Sequence, residues 1–354
     1  SLERINKKNK ETAYSSFYMK DFLKRTIKPL LATLALSCAA NTNAADLNGL
    51  ATFAKVPVES LQDALNQAVY QQKIIDAITR PGEAKPWWQY RKIFITVSRI
   101  QAGVNFYFEN EKILLRAQNT YGIPAEIICA IIGVETLFGK NMGSWKVLDA
   151  LYTLGFNYPK REAFFSKEFA RFVYLANREN WSYDSIKGSY AGAMGMGQFM
   201  PSAYIDYAVD FDGDGHINLF TDKEDAIGSV ANYFKGHGWQ TGRGICYGVH
   251  PHNANVDALM KKQWDLTVEE LYTSGATTKV NLSPNQKVRL FSYDLENGSK
   301  SYVVGLNNFN TIMRYNTSPL YARAVFELSE FIAMNVDKIK RQRGIEVPHR
   351  SRIP

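Results

Sequence analysis

Three groups of side chains in this sequence have the types and spacing for chemistry. The first is a single acid. Glu135 closes the run Ile123-Pro-Ala-Glu-Ile-Ile-Cys-Ala-Ile-Ile-Gly-Val-Glu135, in which residues 127–134 are all apolar or Gly. A helix apolar on every side is a buried one. Pro124 suits a first turn, where a missing N–H costs nothing. Gly139 is a stop signal just past the end. The spacing predicts a carboxyl near the C-terminus of a buried helix. Burial disfavours its charged form, and the partial negative charge of the helix end repels a carboxylate. Both raise the pKa, which is what a general acid near neutral pH needs. The bland alternative is a Glu at an exposed helix end or one tied to an Arg. Glu126, in the first turn, where negative charge is welcome, reads as structural.

The second group is Asp210-Phe-Asp212-Gly-Asp214-Gly215-His216-Ile-Asn218. Carboxylates at positions 1, 3 and 5 repel one another unless a cation sits between them. Gly215 at position 6 makes the sharp turn, and His216 can offer its carbonyl at position 7. This is the front half of an EF-hand calcium loop. The back half departs, since Thr221 stands where a bidentate Glu belongs. A longer loop closes through Asp225, with Glu224 as a second candidate. The expected ion is a structural Ca2+, with Na+ as the alternative; an Asp/Gly-rich surface turn is the competing explanation.

The third group is Ala191-Gly-Ala-Met-Gly-Met-Gly-Gln198-Phe-Met-Pro-Ser202. Its glycines let backbone approach a ligand closely, and Gln198 offers a donor and an acceptor suited to sugar hydroxyl and amide groups. A tight turn with Met packing explains the same residues. The Gly-Lys-Ser/Thr ending of a phosphate loop is missing. Aromatics with polar neighbours recur at Trp87-Trp88-Gln-Tyr90, Tyr233, Trp239 and Tyr315-Asn316…Tyr321; such faces stack on sugars, though each singly is more often packing. His237, His250 and His252 lack a zinc pattern, and there is no Gly-x-Ser-x-Gly elbow.

The elements that must hold these groups are mostly helical. Apolar spacing predicts helix at Phe53–Val58, Leu61–Val69, Val104–Gln118, Trp145–Tyr152, Arg161–Arg178 and Leu320–Val336. Arg80-Pro-Gly-Glu interrupts the first helices. After about residue 246 the texture alternates, at Val280-Asn-Leu, Lys287-Val-Arg-Leu-Phe-Ser-Tyr and Lys300-Ser-Tyr-Val-Val-Gly, as in half-buried strands. Asn297-Gly298 is a hairpin turn. The tail from Lys338 on is basic and reads as loose.

The chain has 354 residues, 45% hydrophobic and 21% charged, as a globular protein has. Its net charge of +8 is concentrated at the start, because residues 1–45 hold eight Lys/Arg against three Asp/Glu. Residues 46–354 carry 34 basic and 31 acidic side chains, or +3, so nucleic acid is excluded as the partner. Met19–Lys28 is a basic n-region, Pro29–Ala40 a short apolar stretch, and Thr42-Asn-Ala44 a cleavage site, which together read as a secretory signal peptide. Met19 reads as the start, and residues 1–18 as upstream read-through. Ala35-Leu-Ser-Cys38 loosely resembles a lipoprotein box. Cleavage after Ala44 gives a soluble product, which this reading favours, and cleavage before Cys38 a lipid-anchored one. Cys129 reads as a small core residue; whether it pairs with Cys246 does not follow from sequence.

The order of motifs carries a resemblance. Gly133-Val-Glu135-Thr-x-x-Gly139 is followed by Gly188-Ser-Tyr-Ala-Gly-Ala-Met-Gly-Met-Gly-Gln198-Phe-Met-Pro, by Asp210-Phe-Asp-Gly-Asp-Gly-His-Ile-Asn-Leu, by Ala231-Asn-Tyr-Phe-Lys-x-His-Gly-Trp239 and by Arg314-Tyr-Asn316. Over residues 50–340 the chain resembles the membrane-bound lytic murein transglycosylase B family. The resemblance implies a mainly α (α+β) fold: a lysozyme-like helical core, a helical flanking domain and a small antiparallel β insert. The division it suggests is a signal peptide with upstream residues at 1–45, a flanking domain at 46–118 and a catalytic core at 119–246 with the metal loop at 210–225. A β domain at 247–304, a return to the core at 305–340 and a basic tail at 341–354 complete it.

The resemblance also implies a lyase that cuts the β-1,4 bond between N-acetylmuramic acid and N-acetylglucosamine in peptidoglycan, leaving 1,6-anhydromuramoyl ends. Glu135 is then the sole catalytic acid/base, with no cofactor in bond cleavage. Ser189, Gln198, Tyr233, Tyr315, Asn316 and Tyr321 match glycan positions; Tyr90, Lys160 and Arg161 are weaker matches, Lys160 standing for an Arg. The metal set is Asp210, Asp212, Asp214, the His216 carbonyl and, across a one-residue insertion, Asp225. The setting implied is the periplasm of a Gram-negative bacterium, as a monomer, soluble or anchored to the outer membrane by lipid. A hydrolytic muramidase and a non-catalytic, calcium-stabilised module that binds wall glycan are the rival expectations.

Overall fold

The computed structural model describes residues 46–80 and 84–347. The expected signal peptide, Cys38, part of the Arg80–Glu83 break and residues 348–354 of the basic tail lie outside the described residues. The described residues separate into two compact units, 46–80 with 139–229, and 84–138 with 230–347.

The first unit carries helices α1 (Leu47–Ala54), α2 (Val58–Gln67) and α3 (Gln72–Thr79), then α8 (Val147–Asn157), α9 (Glu162–Glu179) and α10 (Pro201–Tyr207). Its centre is the packing of α8 against α9. Leu148, Leu151 and Leu154 bury completely on one side, as do Phe165, Phe172 and Val173 on the other. Each side chain of this size contributes about 1.5–3 kcal/mol through burial. Asp149 on α8 accepts the Val69 amide at 2.9 Å, and Thr153 accepts that of Gln71 at 3.0 Å, so the turn before α3 is tied to α8. Strands β1 (Trp145–Lys146) and β2 (Lys187–Gly188) pair antiparallel just ahead of the glycine-rich segment.

The second unit carries α4 (Trp87–Phe94), α5 (Val97–Glu109), α6 (Glu111–Tyr121) and α7 (Ala125–Thr136). Helix α11 (Lys223–Gly236) starts in the first unit and ends in the second. Later come α12 (Val256–Lys261), α13 (Val268–Thr273), α14 (Asn307–Tyr315) and α15 (Pro319–Gln342). Helix α7 is the hub, packed on α5, α6 and α15. Every residue from Ala125 to Val134 is buried, and so is Thr136; Glu135 alone in the helix keeps exposure.

A five-stranded sheet of β3 (Cys246–His250), β4 (Leu266–Thr267), β5 (Thr277–Thr278), β6 (Lys287–Asp294) and β7 (Lys300–Gly305) is antiparallel throughout, in the order β4-β6-β7-β3-β5. The hairpin of β6 and β7 closes at Asp294↔Lys300 around Asn297-Gly298, with Gly298 at φ 81°. The insert has its own apolar core, including Leu266, Val268, Leu271, Val288 and Val304.

Several boundaries differ from the expectation. The helix expected over 104–118 is two helices, α5 and α6. Asn110 (φ −122°, ψ 20°) leaves the helical path and its side chain donates back to the Phe106 carbonyl at 2.8 Å, an alternative to the helical ladder. Trp145 and Lys146 are a strand, not the start of α8. Val280–Leu282 is not a strand; β5 lies earlier. Helix α15 runs past Lys338 to Gln342, because Lys340 is held by Glu111 at 3.3 Å and by the Tyr107 hydroxyl at 3.3 Å.

Candidate active site

Glu135 sits in the last turn of α7 and its Oε1 accepts a hydrogen bond from the Tyr321 hydroxyl at 2.5 Å. Tyr321 lies in the first turn of α15 and is itself wholly buried. Burial lifts the Glu135 pKa from 4.5 to about 7, against the smaller lowering effect of the Tyr321 hydroxyl. The side chain is only half-buried by accessible surface. Dense packing on most sides with one open face accounts for both facts, and a proton-transferring group needs both. Tyr315, whose hydroxyl is pushed up by burial and next by the charge of Glu135, shares this neighbourhood. Its ring meets that of Tyr233 edge-on at 4.7 Å and stacks with Phe234 at 5.6 Å. The Tyr233 hydroxyl donates to the Arg314 carbonyl at 2.8 Å, and the His237 ring stacks on Tyr233 at 4.0 Å. Asn316 is buried and its side-chain oxygen accepts the Ser318 amide at 3.0 Å. Glu135, Tyr233, Tyr315, Asn316 and Tyr321 thus all belong to the second unit.

The exit from α7 is unusual. Leu137, Phe138 and Gly139 all have positive φ, at 50°, 59° and 83°. Left-handed conformations at non-glycine residues cost roughly 1–3 kcal/mol each and cluster near functional sites. The helix ends at Thr136, before the expected glycine stop takes effect.

Two of the aromatic residues selected from the sequence are fully packed. Tyr90 is 1% exposed, with its ring packed on Trp87 and Phe94, so it belongs to the core. Tyr321, 0% exposed, directs its hydroxyl at Glu135.

The remaining sequence-selected residues belong to the first unit. Ser189 is buried and its hydroxyl oxygen accepts the amides of Ala191 and Ala193 at 3.2 and 3.0 Å, which shapes the glycine-rich turn. Gln198, at φ 54°, donates from Nε2 to the carbonyls of Gly195 and Met142 at 2.9 and 3.2 Å. Lys160 is exposed, and the Arg161 guanidinium lies 4.8 Å from the Phe164 ring centre.

The acidic loop is also in the first unit. Carboxylate oxygens of Asp210, Asp212 and Asp214 lie within 4.8 Å of one another, and so do those of Asp212, Asp222 and Asp225. Asp210 accepts the amides of Gly213, Asp214 and Gly215 and is lowered, first by Gly215. Asp212 accepts the Asp214 amide, yet desolvation, Asp210 and the charges of Asp214 and Asp222 together drive it up to about 6. Such crowding is what a hard cation with oxygen ligands relieves, so the residues fit Ca2+. Gly213 and Gly215 have φ of 80° and 92° with open space around them; conformation, not room, demands glycine there. Asp225, buried, accepts the amides of Phe211 and Asn218, both at 2.7 Å. Glu224 joins neither carboxylate group, whereas Asp222, overlooked in the sequence, does.

The family model described as "Transglycosylase SLT domain" matches residues 39–330. The chain belongs to this family. As a lytic transglycosylase acting on peptidoglycan, it is 43% identical over 290 residues to membrane-bound lytic murein transglycosylase B of Escherichia coli (strain K12), covering 78% of each chain. The crystal structure of the catenated lytic transglycosylase SltB1 from Pseudomonas aeruginosa superposes with a TM-score of 0.78 at 44% identity, over 82% of this chain and 96% of that one. The Escherichia coli lytic transglycosylase Slt35 in complex with calcium gives 0.75 at 42% identity, over 82% and 92%. The lysozyme-like, mainly helical fold of these transglycosylases, with its small antiparallel insert, is therefore the fold of this family member.

Proposed function

We propose that this lytic transglycosylase cuts the β-1,4 bond between N-acetylmuramic acid and N-acetylglucosamine without water and leaves a 1,6-anhydromuramoyl end, with Glu135 as its one proton-transfer group. The observation that carries the reading is a carboxyl raised to about 7 at the one half-buried position of an otherwise buried helix. Most glycosidases need two carboxyls. One is enough when the substrate supplies the nucleophile. Protonated Glu135 gives its proton to the bridging oxygen as the C1–O bond breaks. The substrate's acetamido group stabilises the cation at C1. Ionised Glu135 then takes the proton of the 6-hydroxyl as that oxygen bonds to C1. Tyr321 holds Oε1, which leaves Oε2 for both transfers.

Ser189, Gln198, Tyr233, Tyr315 and Asn316 are the proposed glycan contacts, with Lys160 and Arg161 as weaker ones; the support is the motif order together with their polar groups. Asp210, Asp212, Asp214 and the His216 carbonyl are the proposed calcium ligands, with Asp225 closing the loop. A bound ion there neutralises crowded charge and supports the fold. Among the described residues no helix is long and apolar enough to cross a membrane. Periplasmic residence, as a soluble monomer or a lipoprotein anchored through Cys38, is the setting we propose.

Digestion of purified peptidoglycan, read by mass spectrometry, tests the mechanism. Anhydro ends, each one water lighter than hydrolysed ends, are expected from the wild type and none from Glu135→Gln. Hydrolysed ends, or a normal rate in that variant, would overturn it.

A further inference from the structure

Why three consecutive residues after Glu135 adopt the left-handed conformation finds its answer in Phe138. Its ring folds back onto α7. A methyl placed on Gly133 would collide with Phe138 Cζ, and one on Gly103 of α5 would lie 3.1 Å from the same atom. The ring also packs on Phe106 of α5 at 5.3 Å. Over Gly103 it shares space with Ile332 of α15, whose Cδ1 would be 2.5 Å from that methyl. The Phe138 amide donates to the Ile132 carbonyl at 3.2 Å, and the Leu137 amide to that of Gly133 at 3.1 Å. A glycine inside a buried helix is unfavourable for the helix itself. Here two glycines, on two helices, make room for one ring.

We infer that Phe138 is a positioning residue for Glu135: its ring, seated on Gly133 and Gly103, fixes how the last turn of α7 presents the carboxyl to Tyr321 and to the substrate. The inference rests on the reading of Glu135 as the proton-transfer group. Glu135 lies two residues after Gly133 and three before Phe138, inside the segment that the ring folds back to pin. The helix that supplies Tyr321 also supplies Ile332, so ring, carboxyl and hydroxyl are referenced to the same three helices.

The test uses the full chain with Phe138→Leu, Gly133→Ala and the double variant, assayed for anhydro-muropeptide release across pH. Gly133→Ala drives its methyl into the Phe138 ring, so a merely structural role predicts a lower Tm from overpacking with normal kcat per folded molecule. Positioning predicts a fall in kcat of ten-fold or more with KM within about three-fold. Phe138→Leu removes the ring atom that meets the new methyl, so the double variant should regain at least three-fold over Gly133→Ala. On this inference Phe138→Leu alone loosens the last turn of α7 and lets its carboxyl meet more water, and the alkaline limb of its pH profile should move to lower pH. Normal kcat and an unmoved limb in both single variants would overturn the inference, as would a double variant no better than Gly133→Ala. If Gly133→Ala does not fold, Phe138→Leu with its pH profile decides alone. Failure here leaves the anhydro product and the Glu135→Gln result standing, so the two readings fall separately.

Discussion

Two sets of carboxyl groups in this molecule solve opposite problems. Glu135 is alone, on a helix with no other exposed residue, and its surroundings resist its charge. Asp210, Asp212 and Asp214 of the 210–225 loop are crowded and reach water, and their surroundings invite a foreign charge. Both sites show raised carboxyls, but from different causes. Removing apolar walls would relax the first, and adding a cation would relax the second. A perturbed acid therefore identifies a site only once the cause is known.

Measurement can separate the two cases. The largest expected effect is loss of turnover in Glu135→Gln by about 10²–10⁴-fold, the range of general acid–base catalysis, checked by release of soluble muropeptides. Next is stability. The folded carboxyl titrates near 7 and the unfolded one near 4.5. The folded state binds the extra proton between these values, so stability falls as pH rises through that window and stays lower above it. The difference is at most about 3 kcal/mol. Glu135→Gln removes the decline, and thermal melts above pH 7 should show the variant more stable than the wild type.

A stability effect of the same order is expected in the loop. Asp225→Ala leaves two amides, those of Phe211 and Asn218, without their acceptor, at about 1–3 kcal/mol for each one left buried. Titration calorimetry should show weaker Ca2+ binding, and wild-type Tm should rise with added Ca2+ and fall with a chelator. Tyr321→Phe is milder for stability. It removes the group that lowers the Glu135 pKa, so the alkaline limb near pH 7 should move up while kcat falls about ten-fold, an effect worth about 1.4 kcal/mol. Smallest of all, Tyr90→Phe should leave KM unchanged, because that ring is core.

Much of this was legible in the chain. The α7 run was, because unbroken apolar residues between Pro124 and Gly139 admit few alternatives. The loop was, because cation geometry ties residue type to position. The partnership of Glu135 with Tyr321 was not, since 186 residues separate them and only packing unites them. Tyr321 and Tyr90 looked alike in sequence, as aromatics among polar neighbours. Burial alone distinguishes the one that touches the acid from the one that fills the core. Leu137 and Phe138 carry no local sign of left-handed backbone, because side-chain packing imposes it. Asn110 broke a helix that periodicity alone would continue.

Asp225 has a consequence for how an ion would act. One buried side chain grips the start and the middle of the acidic loop through the backbone. Those two hydrogen bonds tie separate parts of the loop backbone to one side chain. On the proposed reading, a cation taken up there fastens a loop whose backbone this side chain already gathers.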